Sequence, residues 1–93
     1  MDFINELYQI ILDRKKNLPE DSYTTTLFKS GIDRILKKVL EEAGEVMVAG
    51  KGDNRDDLIY ETADLMYHLL VLLAEWDIDL NEINNELKRR HKE

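Results

Sequence analysis

The segment Ile32-Asp33-Arg34-Ile35-Leu36-Lys37-Lys38-Val39-Leu40-Glu41-Glu42-Ala43-Gly44-Glu45-Val46-Met47 decides the fold. Ile32, Ile35, Leu36, Val39, Leu40, Ala43, Val46 and Met47 step by three and by one. At about 100° per residue they share one continuous stripe, which predicts a helix over residues 32–49. Lys38, Glu42 and Glu45 fall on one flank of that stripe, at the edge of the surface to be buried, and Glu41 lies further out. Gly44 costs such a helix about 1 kcal/mol relative to alanine. It is either tolerated or clears room beside the carboxylates.

Beyond this helix, Gly50-Lys51-Gly52-Asp53-Asn54 reads as a junction, with glycine suited to the C′ position and Asn54 to the next N-cap. Residues 55–76 form the following helix. Its half from Leu65 to Leu73 is apolar almost all round, and such a helix is expected to be buried on every side. A chain of 93 residues is hard pressed to surround it, so a homodimer with this helix at the interface is expected, a higher oligomer being the alternative. Asp57, Glu61, Asp64 and His68 form one polar seam along it. Toward the N-terminus, Phe3, Leu7, Ile10 and Ile11, widened by Ile4 and Leu12, predict a helix over residues 2–16. Asp2 suits its cap and Pro19 its end. The hydroxyl-rich Ser22-Tyr23-Thr24-Thr25-Thr26 precedes a short helical turn over residues 25–29. After the break at Trp76-Asp77-Ile78-Asp79, Asp79 and Glu82 form a capping box for a last helix over residues 80–91, with Leu80, Ile83 and Leu87 inward. The basic run Lys88-Arg89-Arg90-His91-Lys92 reads as a solvated end complementing the helix dipole. The expected fold is all-α: one domain over residues 1–93, a bundle of four to five helices completed by homodimerisation.

Composition narrows the chemistry. No cysteine is present, which excludes disulfides, thiolate zinc sites and cysteine nucleophiles. A net charge of −7 argues against nucleic-acid binding. The N-terminus lacks the basic region of a secretory signal, and the run from Leu65 to Ala74 is too short to span a bilayer, so a cytoplasmic protein is expected. Glu42 with Glu45, and Glu61 with Asp64, offer carboxylates at i and i+3 on two helices. Four hard oxygen ligands on facing helices select magnesium, or manganese, over zinc. Surface charge is the competing reading for Glu41, Glu42 and Glu45. It fits Glu61 and Asp64 less well, because they share a helix with the most apolar run. A di-iron site needs glutamate followed by histidine three residues on, which Glu61 and Asp64 do not supply. His68 reads as a hydrogen-bonded core histidine rather than a ligand.

Glu41-Glu42-x-x-Glu45, followed after fifteen residues by Glu61-x-x-Asp64, resembles the signature of the all-α nucleoside-triphosphate pyrophosphatases, the MazG-like superfamily. Ser22-Tyr23-Thr24-x-x-Leu27, Lys37-Lys38-Val39 and Tyr67-His68-Leu69-Leu70-Val71 resemble the phosphoribosyl-ATP pyrophosphatases within it, and the likeness covers almost the whole chain. Leu40 and Gly44 depart from the family pattern without replacing a ligand. The resemblance implies hydrolysis of phosphoribosyl-ATP to phosphoribosyl-AMP and pyrophosphate, the second step of histidine biosynthesis. It implies magnesium on Glu42, Glu45, Glu61 and Asp64, Glu41 orienting or deprotonating water, and substrate contacts from Ser22, Thr24, Lys38 and Lys51. Two other readings compete: a house-cleaning nucleotide pyrophosphatase of the same superfamily, and a non-enzymatic helical partner protein.

Overall fold

A computed structural model describes residues 2–91, of which all but Asp2 have described side chains. The cap expected of the Asp2 carboxylate, and Lys92 of the basic run, therefore lie outside the description. Among the described residues there are five helices and no strand: α1 (Asp2–Asn17), α2 (Tyr23–Ser30), α3 (Ile32–Lys51), α4 (Arg55–Glu75) and α5 (Leu80–Arg90).

Local chemistry sets most of the boundaries. Leu18, held before Pro19, leaves α1 at φ 47°, and its N–H donates to the Arg14 carbonyl at 2.8 Å. The Ser22 hydroxyl accepts the Thr25 N–H at 3.2 Å and caps α2, which therefore starts two residues earlier than the expected turn. Gly31 alone separates α2 from α3, at φ 96° and ψ 178°, a conformation open to glycine and strained for any L side chain. Asn54 caps α4 by accepting the N–H groups of Asp56 and Asp57, and Asp79 with Glu82 forms the expected capping box of α5. α3 runs through Gly50 to Lys51, two residues beyond the expected end, and Gly52 of the glycine-containing junction takes the cap position.

α3 and α4 form the long antiparallel pair, and α1 and α2 close over one end of it. The core joins Tyr8 and Ile11 of α1, Leu27 of α2, Ile35 of α3, and Leu70, Val71 and Ala74 of α4. The α1 stripe is rotated from the expected one. Tyr8 is buried where Phe3 and Ile10 stay exposed, and its hydroxyl donates to the Ile78 carbonyl at 2.6 Å. Lys15 reaches the carbonyls of Ala74 (2.8 Å) and Glu75 (3.4 Å) and the Asp77 carboxylate (3.1 Å), tying α1 to the C-terminal end of α4.

Two expectations about burial change. The second half of α4 is largely covered by the chain's own helices, with Val71 and Ala74 fully buried. The α3 stripe is buried only at Ile35, and Leu36, Leu40 and Met47 are exposed, Leu40 at 74%. The uncovered apolar surface thus lies on α3 and, with Leu58, Ile59 and Tyr60, on the first half of α4. α5 faces Leu80, Ile83 and Leu87 toward Ile4, Met66, Leu69 and Leu73 across an open groove, and none of its residues is buried. Its basic end is solvated, with Arg90 on Glu86 at 3.0 Å and Arg89 on the same carboxylate.

Candidate metal and active site

The antiparallel pair brings the two acidic motifs together. Glu42 is buried, 7% exposed, on the α3 side. Facing it from α4 are Asp64 and His68; one ligand atom from each of the three lies within 4.8 Å of the others. Glu45 and Glu61 continue the cluster outward and line one cleft together. The Glu61 carboxyl is pushed above the usual carboxylate range, first by desolvation and then by the charges of Glu45, Glu42 and Asp64. Glu61 thus feels the other three predicted ligands, and Glu42 and Asp64 approach each other directly. Glu45 and Glu61, with Asp57 and Tyr60, line a cleft of about 300 Å³. Asp57 is an acid that the ligand spacing did not single out, although it belongs to the α4 seam.

Among the described residues, one cation answers this charge from within the site. The Lys38 ammonium lies 3.3 Å from Glu42 and 3.4 Å from Glu41. Partial desolvation works to lower its pKa, but the bond to Glu42, the field of Tyr23 and the bond to Glu41 outweigh it, and the net direction is up. Glu41 is on the outer side of α3, as expected, yet Lys38 bridges it to the cluster. A single ammonium among Glu41, Glu42, Glu45, Glu61 and Asp64 leaves an excess of negative charge at one point. An all-oxygen donor set with that excess fits a hard divalent cation.

His68 does not fit as a ligand. Its ring is 2% exposed and both nitrogens are engaged. Nδ1 lies 2.8 Å from the Asp64 carbonyl oxygen, which only accepts, so Nδ1 carries the proton. Nε2 is then the acceptor, and the Tyr23 hydroxyl donates to it at 3.1 Å. The core-histidine expectation agrees with this geometry. Tyr23 also stacks on Tyr67, ring centroids 6.3 Å apart, and Tyr67 shares a hydrogen bond with Thr24.

The predicted substrate residues are dispersed. Ser22 caps α2 and is 3.5 Å from Arg14 Nη1. Thr24 is buried with its hydroxyl on Tyr67, so as placed it braces α2 against α4. Lys51 is exposed at the end of α3, about 9 Å beyond Glu45 along the helix axis. Arg14, in the last turn of α1, points its guanidinium at the start of α2 and opposes, without reversing, the rise in the Tyr67 pKa that burial causes. Nothing in the spacing of α1 signalled this, because it depends on how α1 crosses α2.

The profile of a family described as phosphoribosyl-ATP pyrophosphohydrolase matches residues 4–91. A phosphoribosyl-ATP pyrophosphatase of Geobacter sulfurreducens is 57% identical over 89 residues, 96% of this chain and 82% of the relative. One of Leptospira biflexa is 52% identical over 98% of this chain and 99% of its own length. A histidine biosynthesis bifunctional protein of Bacillus subtilis is 50% identical over 97% of this chain, which corresponds to 43% of that longer protein.

Proposed function

We propose, for a chain that belongs to the phosphoribosyl-ATP pyrophosphohydrolase family, that Glu42, Glu45, Glu61 and Asp64 are the residues through which it works, by holding a divalent cation. The reaction is hydrolysis of phosphoribosyl-ATP to phosphoribosyl-AMP and pyrophosphate, the second step of histidine biosynthesis. The approach of Glu42 to Asp64 across α3 and α4, with Glu61 in the field of Glu45, Glu42 and Asp64, is the observation that supports the site reading.

Magnesium, or manganese in its place, supplies when bound a Lewis acid for the phosphate and a water of lowered pKa. The chain's own residues do the rest. Glu41, exposed beside the cluster, accepts the proton of the attacking water and passes it to solvent. The new oxygen–phosphorus bond forms at the α-phosphorus as the bond to the bridging oxygen breaks, and pyrophosphate departs. Lys38 sits where its ammonium can turn from Glu41 to a phosphate oxygen, and Lys51 can reach the outer end of a long substrate. The Ser22 hydroxyl uses only its lone pair in capping α2, so its proton remains free to donate. Thr24 acts through Tyr67, shaping the α2–α4 wall beside Asp64.

A homodimer completes the bundle in this reading, or a higher oligomer built on it. The support is the exposed apolar surface of Leu36, Leu40, Met47, Val48, Ile59 and Tyr60, which is large for an isolated small domain. Among the described residues no helix is long and apolar enough to cross a membrane, which is compatible with a cytoplasmic enzyme.

The test is pyrophosphate release from phosphoribosyl-ATP, with and without magnesium, for wild type and Asp64→Asn. Loss of one anionic ligand is expected to cost at least about 100-fold in turnover. Equal rates with and without the metal, or an unimpaired Asp64→Asn variant, would refute the assignment. A panel of nucleoside triphosphates run alongside separates a dedicated enzyme from a house-cleaning one.

A further inference from the structure

Beneath the carboxylates lies a chain of hydrogen bonds that no catalytic step above uses. The Tyr23 hydroxyl donates to His68 Nε2 at 3.1 Å, and His68 Nδ1–H donates to the Asp64 carbonyl at 2.8 Å. The same Nδ1 is 3.6 Å from Asp64 Oδ1. A His68 nitrogen also lies within 4.8 Å of a Glu42 carboxylate oxygen. The imidazole is thus a buried polar floor under the two least exposed approaches to the cluster. Its proton position is dictated by the Asp64 carbonyl, which can only accept, and the Tyr23 hydroxyl then donates to the remaining lone pair on Nε2.

We propose that His68 and Tyr23 are positioning residues: His68 fixes the Asp64 side chain and backbone in the orientation that faces Glu42, and Tyr23 fixes His68. The inference rests on the cation-site reading above. Asp64 is four residues before His68 on α4, so the imidazole packs over the turn that carries the carboxylate. An apolar residue at position 68 would fill the space but lose the bond to the Asp64 carbonyl and the 3.6 Å polar approach of Nδ1–H to the Asp64 carboxylate, leaving that carboxylate free to choose other rotamers. Tyr23 belongs to α2, and through it the placement of a short, hydroxyl-capped helix is coupled to the geometry of the site. Outer partners of this kind orient metal ligands, and their loss typically weakens metal binding by about 10- to 100-fold.

The test is a Mn2+ titration followed by the free-ion electron paramagnetic resonance signal, with far-UV circular dichroism to show that each variant is folded. His68→Leu is expected to weaken Mn2+ binding by about 10- to 100-fold. His68→Asn, whose amide N–H stands where Nδ1–H stood, is expected to hold within about threefold of wild type. Tyr23→Phe removes one hydroxyl from a half-exposed side chain and keeps the fold. It is expected to weaken binding severalfold in the wild-type background and to have no effect in the His68→Asn background at neutral pH, where the uncharged phenol reaches the carboxylates only through the imidazole. Electron spin echo modulation of the bound Mn2+ is expected to show no directly coordinated nitrogen. A directly bound nitrogen, equal affinities for His68→Leu and wild type, or a Tyr23→Phe effect that persists in the His68→Asn background would overturn the proposal. Failure of wild type itself to bind Mn2+ would overturn the cation site and this inference together, whereas normal wild-type binding with unresponsive variants would overturn this inference alone.

Discussion

Replacing Lys38 with methionine keeps the length and the apolar stem of the side chain and removes an ammonium that touches Glu42. Two ion pairs are lost, and they are unequal. The Glu41 partner is nearly half exposed, and a surface pair of this sort contributes about 0.2–1 kcal/mol. The Glu42 carboxylate is almost buried, at 10% side-chain exposure, and a hydrogen bond to such a charged group contributes about 1.5–3 kcal/mol. Lys38 itself is a quarter exposed, which places the sum toward the lower part of that range, about 2 kcal/mol. For a domain of this size that corresponds to a fall in Tm of about 8–16 °C. The assay is thermal unfolding by circular dichroism at pH 7, first with a chelator and then with saturating magnesium, at fixed protein concentration. Magnesium is expected to narrow the gap, since the variant's cluster has more uncompensated negative charge and binds the cation more tightly. Lys38→Met combined with Glu42→Gln is expected to recover most of the loss in chelator, because the stranded charge is then gone. A Tm within about 2 °C of wild type for the single variant, or no recovery in the double, would refute the charge balance described here.

A Cβ at Gly44 would meet no atom of the chain within 4 Å, so Gly44→Ala is expected to stabilise by up to about 1 kcal/mol in a chemical denaturation curve. A loss of stability instead would place a second copy against that point of α3. Glu61 has a folded pKa raised above 4.5, so the folded state holds its proton more tightly than the unfolded state. Its contribution is complete below pH 4.5 and is lost as pH rises from 4.5 through the folded value. In chelator, Glu61→Gln is therefore expected to melt higher than wild type at neutral pH and level with it below pH 4.5, and magnesium should stabilise only the wild type. Tyr8→Phe deletes the buried bond to the Ile78 carbonyl and is expected to cost about 1 kcal/mol or somewhat more, read from the shift in urea midpoint.

The helices were legible because their ends carry local chemistry. Asn54, Asp79 with Glu82, and Pro19 after Leu18 act on the residues beside them, and each appears where its side chain predicts. The i and i+3 spacing also pointed to Glu42 and Glu45 on α3 and Glu61 and Asp64 on α4, two helices that pack together. What sequence periodicity misjudged was burial. The stripe on α3 is apolar along its length, but the other helices of the chain cover it only near Ile35; periodicity identifies a face without saying whether the same chain covers it. Tyr8 was passed over for the opposite reason, since its ring belongs in the core and its hydroxyl finds a carbonyl seventy residues away. The roles of Thr24, Tyr67 and Arg14 depend on how α2 crosses α1 and α4, and no spacing within one helix encodes a crossing.

The division of labour along α3 and α4 follows from where repulsion can be tolerated. Carboxylates pressed together favour separation of the helices that carry them, so something must hold those helices at a fixed distance. On one side the core of Tyr8, Ile11, Leu27, Ile35 and Val71 does so, clasped by Lys15 on the end of α4. Next to the cluster the Tyr23–His68 chain and the Thr24–Tyr67 bond do so with polar groups that keep their geometry inside a low-dielectric wall. On the other side, from Leu40 and Met47 to Ile59 and Tyr60, the single chain offers no cover. Closure by a second copy there would fix the far ends of both helices and leave the charged middle short of a counter-charge. A divalent cation held by the carboxylates of α3 and α4 would relieve repulsion that packing alone only restrains.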